Sequence, residues 1–266
     1  GEVFDKVKFF VEQFKDAKIY GSLIKCDNYN ENLYSKLLKK IKEKPSENLF
    51  TYEKRRNILT ILSDLIKQAK IMNNEYDILV TNPPYLGSRL MNSDLKNYIY
   101  NNYPDSKNDL FSVFIEYSIM KVKNNGQMGL VTPYVWMFLK TYLDLRNFIV
   151  GNKTISSLIQ LEYNAFEAAC VPACTFTLRN YSCNLKGQYI KLSEFKGSEI
   201  QPLKTLEAIN NPNVNYRFST NTHKFSKIPG KPIAYWISDQ VVNLFKTELK
   251  LSDLGDLKSG KSTGGR

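Results

Sequence analysis

A run of apolar and β-branched residues that ends on two prolines limits what the backbone around it can do. Residues 78–87 read ILVTNPPYLG. Asp77 to Thr81 has the length and composition of a short buried strand. Pro83 and Pro84 remove two amide donors, fix φ and hold their neighbours extended, so no ladder continues through them. The outcome is a stiff loop at the carboxyl end of a strand, the edge at which open α/β sheets bind ligands.

The flanking sequence alternates between helical and strand periods. An opening helix is predicted from Val3, Val7, Phe10, Val11 and Phe14, and "IYGSLIKC" (residues 19–26) reads as a strand. Two helices follow: one carries Leu33, Leu37, Leu38 and Ile41, and the next, bounded by Pro45 and "NNE", carries Ile58, Ile61, Leu62, Leu65, Ile66 and Ala69. Beyond the proline loop a short helix is expected around Leu95 to Tyr100. Another begins at Asp109 (Leu110, Phe111, Phe114, Ile115, Ile119, Val122) and stops at "KNNG". Gln127 to Pro133 is a strand. A helix through Tyr142, Leu145, Phe148 and Ile149 leads to the strand "TISSLIQLE", and "ACTFTLRN" with "QYIKLSEF" suit an antiparallel pair. The pattern is that of an α/β fold with a mixed, mainly parallel sheet and an antiparallel edge.

After Leu203 the chain turns Asn-rich and irregular (residues 210–232), which predicts a connector across the surface. The expected division is therefore residues 1–203 as the main domain and 204–266 as connector and start of a second module.

Composition narrows the class. With 42% hydrophobic and 13% aromatic residues the chain can build a core, and 37 Lys and Arg against 26 Asp and Glu give a net charge of +11. That excess suits a phosphate-rich partner, although a lysine-rich solvated surface gives the same number. No apolar run approaches the ~18 residues of a membrane span, so no membrane partner is expected. Cys26, Cys170, Cys174 and Cys183 lack the paired spacing of a zinc site; reduced thiols in a cytoplasmic protein without a bound metal are the simplest expectation. His223, the only histidine, has no cluster around it, which argues against Ser-His-Asp chemistry. "GDLKSGKS" (residues 255–262) satisfies the P-loop spacing, but no buried strand precedes it and no helix can follow in four residues.

The chemistry that suits the proline loop is amine methylation. An exocyclic amine of a nucleobase donates two hydrogen bonds, and the Asn82 side-chain oxygen together with the Pro83 carbonyl can accept both. Tyr85 lies close enough to stack on the base, a contact worth about 1–3 kcal/mol that helps hold an extruded base. S-adenosyl-L-methionine carries its own leaving group, so neither a metal nor a catalytic carboxylate is required. The plainer alternative is a Pro-Pro loop that caps a strand, with Tyr85 as packing.

Asn82-Pro83-Pro84-Tyr85 resembles the catalytic motif of the adenine-specific DNA methyltransferases. Residues 82–116 and 125–139 are similar to the PglX family of the bacteriophage exclusion (BREX) type 1 system, and Lys227 to Ser238 is similar to the segment before that family's target recognition domain. The resemblance implies a partial Rossmann-like, S-adenosylmethionine-dependent methyltransferase fold acting on double-stranded DNA. Asn82 and Pro83 would accept from the target amine, and Tyr85 and Phe166 would contact the flipped adenine. Asp109 and Phe111 would lie beside the cofactor's adenosine. Asp109 reads equally as a helix N-terminal residue, and Phe111 and Phe166 as core. Trp136 and Phe138 read as packing near the site, and Gly260, Thr263 and Gly264 fit the opening of the recognition domain. The family's glycine-rich turn has no match in residues 1–18, so the expectation is an internal fragment, inactive unaided, of an enzyme serving phage defence or restriction-modification, with other subunits as further partners. RNA or protein-glutamine methylation, or a non-catalytic DNA-binding subunit of the same fold, are the competing readings.

Overall fold

A computed structural model describes residues 2–43, 48–166, 171–245 and 255. Helices α1 (Glu2–Glu12), α2 (Ala17–Tyr20), α3 (Glu31–Glu43) and the long α4 (Leu49–Asn73) precede β1 (Tyr76–Thr81). Then come α5 (Ser93–Asn102), α6 (Leu110–Lys121), β2 (Val122–Pro133), α7 (Leu143–Asn152), β3 (Thr154–Gln160) and β4 (Ala173–Arg179). The series ends with β5 (Lys186–Lys191), α8 (Ile200–Asn210), β6 (Arg217–Asn221) and α9 (Asp239–Leu244).

The strands form one sheet in the order β1-β2-β4-β3-β5-β6. β1 pairs parallel to β2 and β3 parallel to β5, while β4 runs against both its neighbours and β6 against β5. Thus β1, β2, β3 and β5 point the same way, and the antiparallel edge is β6. This is the mixed α/β sheet that the alternating pattern predicts. β1 forms the other edge, where Ile78 and Val80 are 70% and 77% exposed.

The predicted helical faces are buried in part: Val11, Ile58, Ile61 and Phe148 stay exposed, while most of the other predicted positions turn inward. Phe10, Phe14, Tyr34, Leu62, Ile66 and Ala69 join α1, α3 and α4 into one cluster, with the Phe10 and Tyr34 rings stacked at 4.4 Å. The main core lies against the sheet, with Met128 and Leu130 of β2, Leu158 of β3 and Phe176 of β4 meeting Ile115 of α6 and Ile149 of α7. Each such side chain contributes about 1.5–3 kcal/mol by leaving water. Gly187 is a tight point in this packing, since a Cβ there would lie 2.3 Å from the Ile155 carbonyl oxygen. Gly187→Ala is expected to lower stability by about 1–3 kcal/mol, read as a shift of the denaturant midpoint.

Four expectations are corrected. Residues 19–26 are not a strand: α2 passes into a 3-10 turn at Gly21–Leu23. Tyrosine hydroxyls replace the ladder there, as Tyr98 and Tyr103 both donate to the Leu23 carbonyl (2.9 and 3.0 Å) and the Lys25 amide donates to Tyr98 (2.9 Å). No turn separates α6 from β2, because the Asn180 side-chain amide donates to the carbonyls of Ile119, Val122 and Lys123 and holds the junction. β4 and β5 are not partners; β4 enters between β2 and β3. Finally, the sheet does not stop at residue 203. Within the supposed connector, β6 pairs with β5, and Phe225, Ile233 and Tyr235 reach the main core.

One buried cation fastens this returning segment. Arg146 on α7 is 2% exposed, and its guanidinium donates to the carbonyls of Gly230 (3.0 Å), Trp136 (2.8 Å) and Leu139 (2.6 Å). The Ile233 amide donates to the Met137 carbonyl at 3.0 Å, alongside. Cys26 and Cys174 are buried free thiols and Cys183 is partly buried. Cys170 and residues 256–266, which include most of the P-loop-like stretch together with Gly260, Thr263 and Gly264, lie outside the described residues. Among the described residues no helix is long and apolar enough to cross a membrane.

Candidate active site

β1 makes its last pairing at Thr81 with Leu130, and the chain then leaves the sheet as the Asn82–Tyr85 loop. Pro83 is buried and anchors the loop, whereas Asn82, Pro84 and Tyr85 are exposed. Proline therefore supplies stiffness and leaves the polar side chain facing outward. The Tyr85 hydroxyl lies 3.0 Å from Asn82 Oδ1 and 3.1 Å from the Val131 carbonyl oxygen, both acceptors for its proton. The Tyr85 ring meets Phe111 edge-on at 6.3 Å, and Phe111 packs on Tyr142 at 5.5 Å.

The downstream end of the loop is fastened to α6. Leu86 to Ser88 run antiparallel to Asn108 to Leu110, with Ser88 donating to the Asn108 carbonyl and Leu110 to the Leu86 carbonyl, both at 3.0 Å. Asp109 is the N-cap of α6, and its Oδ1 accepts from the amides of Phe111 (3.2 Å) and Leu86 (3.0 Å). Burial raises the Asp109 carboxyl above its ordinary pKa, and the amides of Phe111, Leu86 and Leu110 act against that shift. Burial likewise raises the Tyr85 phenol, and it carries the Cys174 thiol beneath the loop up to about 12. Both are protonated at neutral pH. Neither serves as a base there.

Of the residues singled out from the sequence, Asn82, Pro83, Pro84, Tyr85, Asp109 and Phe111 form one connected group at the carboxyl end of β1 and β2. Phe111 is 1% exposed, which makes it a core residue under the Tyr85 ring. Phe166 is 46% exposed in the loop after β3, at the same end of the sheet, and residues 167–170 beyond it lie outside the described residues. Trp136 is buried against Phe176, and Phe138 packs on Trp236 at 5.7 Å. The Val131 carbonyl and Tyr142 were missed in the sequence. A carbonyl carries no residue signature, and Tyr142 reads as one more apolar position of a helix.

Known proteins share this arrangement of sequence. The chain is 32% identical over 260 residues to the adenine-specific methyltransferase PglX of Lacticaseibacillus casei (strain Zhang), covering 95% of this chain and 21% of that protein. It is 32% identical over 245 residues to the adenine-specific methyltransferase BrxX of Escherichia coli strain HS, covering 91% of this chain and 19% of that protein. The chain thus spans about a fifth of the length of the curated relatives it matches. Among solved structures, a type I restriction-modification methyltransferase subunit from Streptococcus thermophilus is similar with a TM-score of 0.45 at 14% identity, covering 65% of this chain and 45% of that one. The family model of the Eco57I restriction-modification methylases matches residues 5–166, a stretch that holds β1, the proline loop, Asp109 and β2. With well over half of its length inside that match, the chain belongs to the Eco57I restriction-modification methylase family.

Proposed function

We propose that this chain carries the target-base side of a DNA methyltransferase that transfers a methyl group from S-adenosyl-L-methionine to N6 of a flipped adenine in double-stranded DNA. The observation that supports it most is the posture of the loop: Asn82 is exposed on a backbone held by buried Pro83 and by the Leu86–Ser88 pairing, with the Tyr85 ring beside it. Asn82 Oδ1 and the Pro83 carbonyl accept the two protons of the amine, which pulls its lone pair out of conjugation and aims it outward. The ring of Tyr85 takes one face of the base, and Phe166 takes the other. Once the new C–N bond has formed, the nitrogen carries a positive charge that the same two acceptors stabilise until a proton leaves to water.

S-adenosyl-L-methionine would supply the methyl on a sulfonium, whose leaving group is a neutral thioether. Its fit to the described residues is partial. Asp109 Oδ1 is committed to two amides and Phe111 is core, so neither that oxygen nor the Phe111 ring is free to hold an adenosine as the two stand. Residues 2–12 are helix and hold no glycine-rich turn. We place those contacts in the part of the relatives' length that this chain does not span, beyond the open edge of β1. We place the passage to a target recognition module after Tyr235, not at residue 203, and read the setting as cytoplasmic DNA modification in phage defence or restriction, with further subunits as partners.

The test is methylation by the full-length enzyme with labelled donor and three acceptors: duplex DNA, ribosomal RNA and a protein glutamine. Label in N6-methyladenine of duplex DNA is the expected result; label in RNA or protein alone, or none at all, overturns the reading. Tyr85 variants refine it. Tyr85→Phe keeps the ring and is expected to stay within about tenfold of wild type, whereas Tyr85→Ala loses the stacking contact and roughly ten- to hundredfold in transfer. Fluorescence of 2-aminopurine at the target position reports the same loss as weakened base extrusion.

A further inference from the structure

We infer that Asp109 is a positioning residue for the catalytic loop, holding Asn82 and Tyr85 in register from behind, and not a contact to the methyl donor. The inference rests on the methyltransferase reading above and gives this carboxylate a different part in it. One oxygen, Oδ1, accepts from Phe111 at the first turn of α6 and from Leu86, the residue that follows Tyr85. A single atom therefore ties the helix to the loop across a sequence separation of 23 residues. The other oxygen sits over Gly87, where an added Cβ would lie 3.6 Å from Oδ2.

The backbone bonds around it close the same joint. Leu110 donates to Leu86 and Ser88 to Asn108, so the loop end is clamped on both sides of Asp109. Phe111, the residue whose amide Asp109 caps, also presents its ring edge to Tyr85. A shift at Asp109 thus moves the Tyr85 ring by two routes, through Leu86 and through Phe111. Misplacing a reacting group by about 1 Å costs on the order of a hundredfold in rate. That is the expected reach of this tether.

Three variants of the full-length enzyme separate positioning from donor contact. Asp109→Asn keeps a side-chain oxygen of the same reach, and it should retain kcat within about threefold with the donor Kd unchanged. Asp109→Ser still caps α6 but is too short to reach Leu86, so kcat should fall about a hundredfold while the melting temperature and the donor Kd stay near wild type. Asp109→Ala should lose both kcat and stability. A weaker donor Kd in Asp109→Asn, measured by calorimetry without DNA, overturns the proposal in favour of a direct contact. Full kcat in Asp109→Ser overturns it too, because the tether would then be dispensable. Failure of the wild-type enzyme to methylate DNA is a different outcome: it sinks the underlying function, and donor calorimetry on the Asn and Ser variants still reads the role of Asp109.

Discussion

Replacing Asn82 with alanine in the full-length enzyme is expected to lower the methyl-transfer rate constant by about two to three orders of magnitude, with DNA and donor affinities kept. The reasoning is geometric. The side-chain oxygen stands on an exposed loop residue whose neighbour Pro83 is buried, so truncation removes an acceptor without removing a support. Alanine leaves the amine with one acceptor in place of two, and the charge that develops on nitrogen meets one carbonyl alone. The Tyr85 hydroxyl keeps a partner in the Val131 carbonyl at 3.1 Å, so the ring should stay where it is. Single-turnover transfer of a labelled methyl, alongside filter binding to DNA, reads the two quantities separately. Transfer at the wild-type rate would remove Asn82 from the mechanism.

Arg146→Met is expected to cost about 1–3 kcal/mol of stability, because an apolar chain of similar length leaves the buried Trp136 carbonyl without its donor, whereas Gly230 is exposed and the Leu139 carbonyl keeps the Tyr142 amide. The guanidinium serves Gly230, Trp136 and Leu139 together, joining the returning segment to the chain just beyond β2. Burial itself pushes the Arg146 pKa downward, so part of the loss is offset when the charge goes. At roughly 2–4 °C per kcal/mol for a domain of this size, the melting midpoint should fall by about 2–12 °C. A fall of under about 2 °C would mean that water or relaxation satisfies the Trp136 carbonyl.

What could be read in the sequence follows from the range of the interactions involved. The helices through Phe10, Ile66 and Ile149 were legible because a 3.6-residue period needs no knowledge of the partner. The proline loop was legible for a similar reason, as Asn82 to Tyr85 are contiguous and two prolines act locally. Alternation in β4 showed which side chains share a face but carried no information about which strand lies beside it. Residues 19–26 look like a strand because Leu23 and Ile24 are apolar, while the hydroxyls that satisfy the Leu23 carbonyl and the Lys25 amide come from Tyr98 and Tyr103 far along the chain. β6 is short and polar in sequence, and only its pairing with β5 reveals it. The link from Asp109 to Leu86 and the three bonds of Arg146 were hidden for one shared reason: their partners are main-chain groups, which every residue possesses.

The placement of β4 between β2 and β3 also orders events during synthesis. Both outer neighbours leave the ribosome before the strand that joins them, so the nascent chain holds two unmatched margins until Arg179 has emerged. At about 5–20 residues per second that wait lasts a few seconds, long enough for chaperone capture or a wrong strand partner. Translation pauses placed between β3 and β4 should therefore reduce the yield of native chain more than pauses placed after β4.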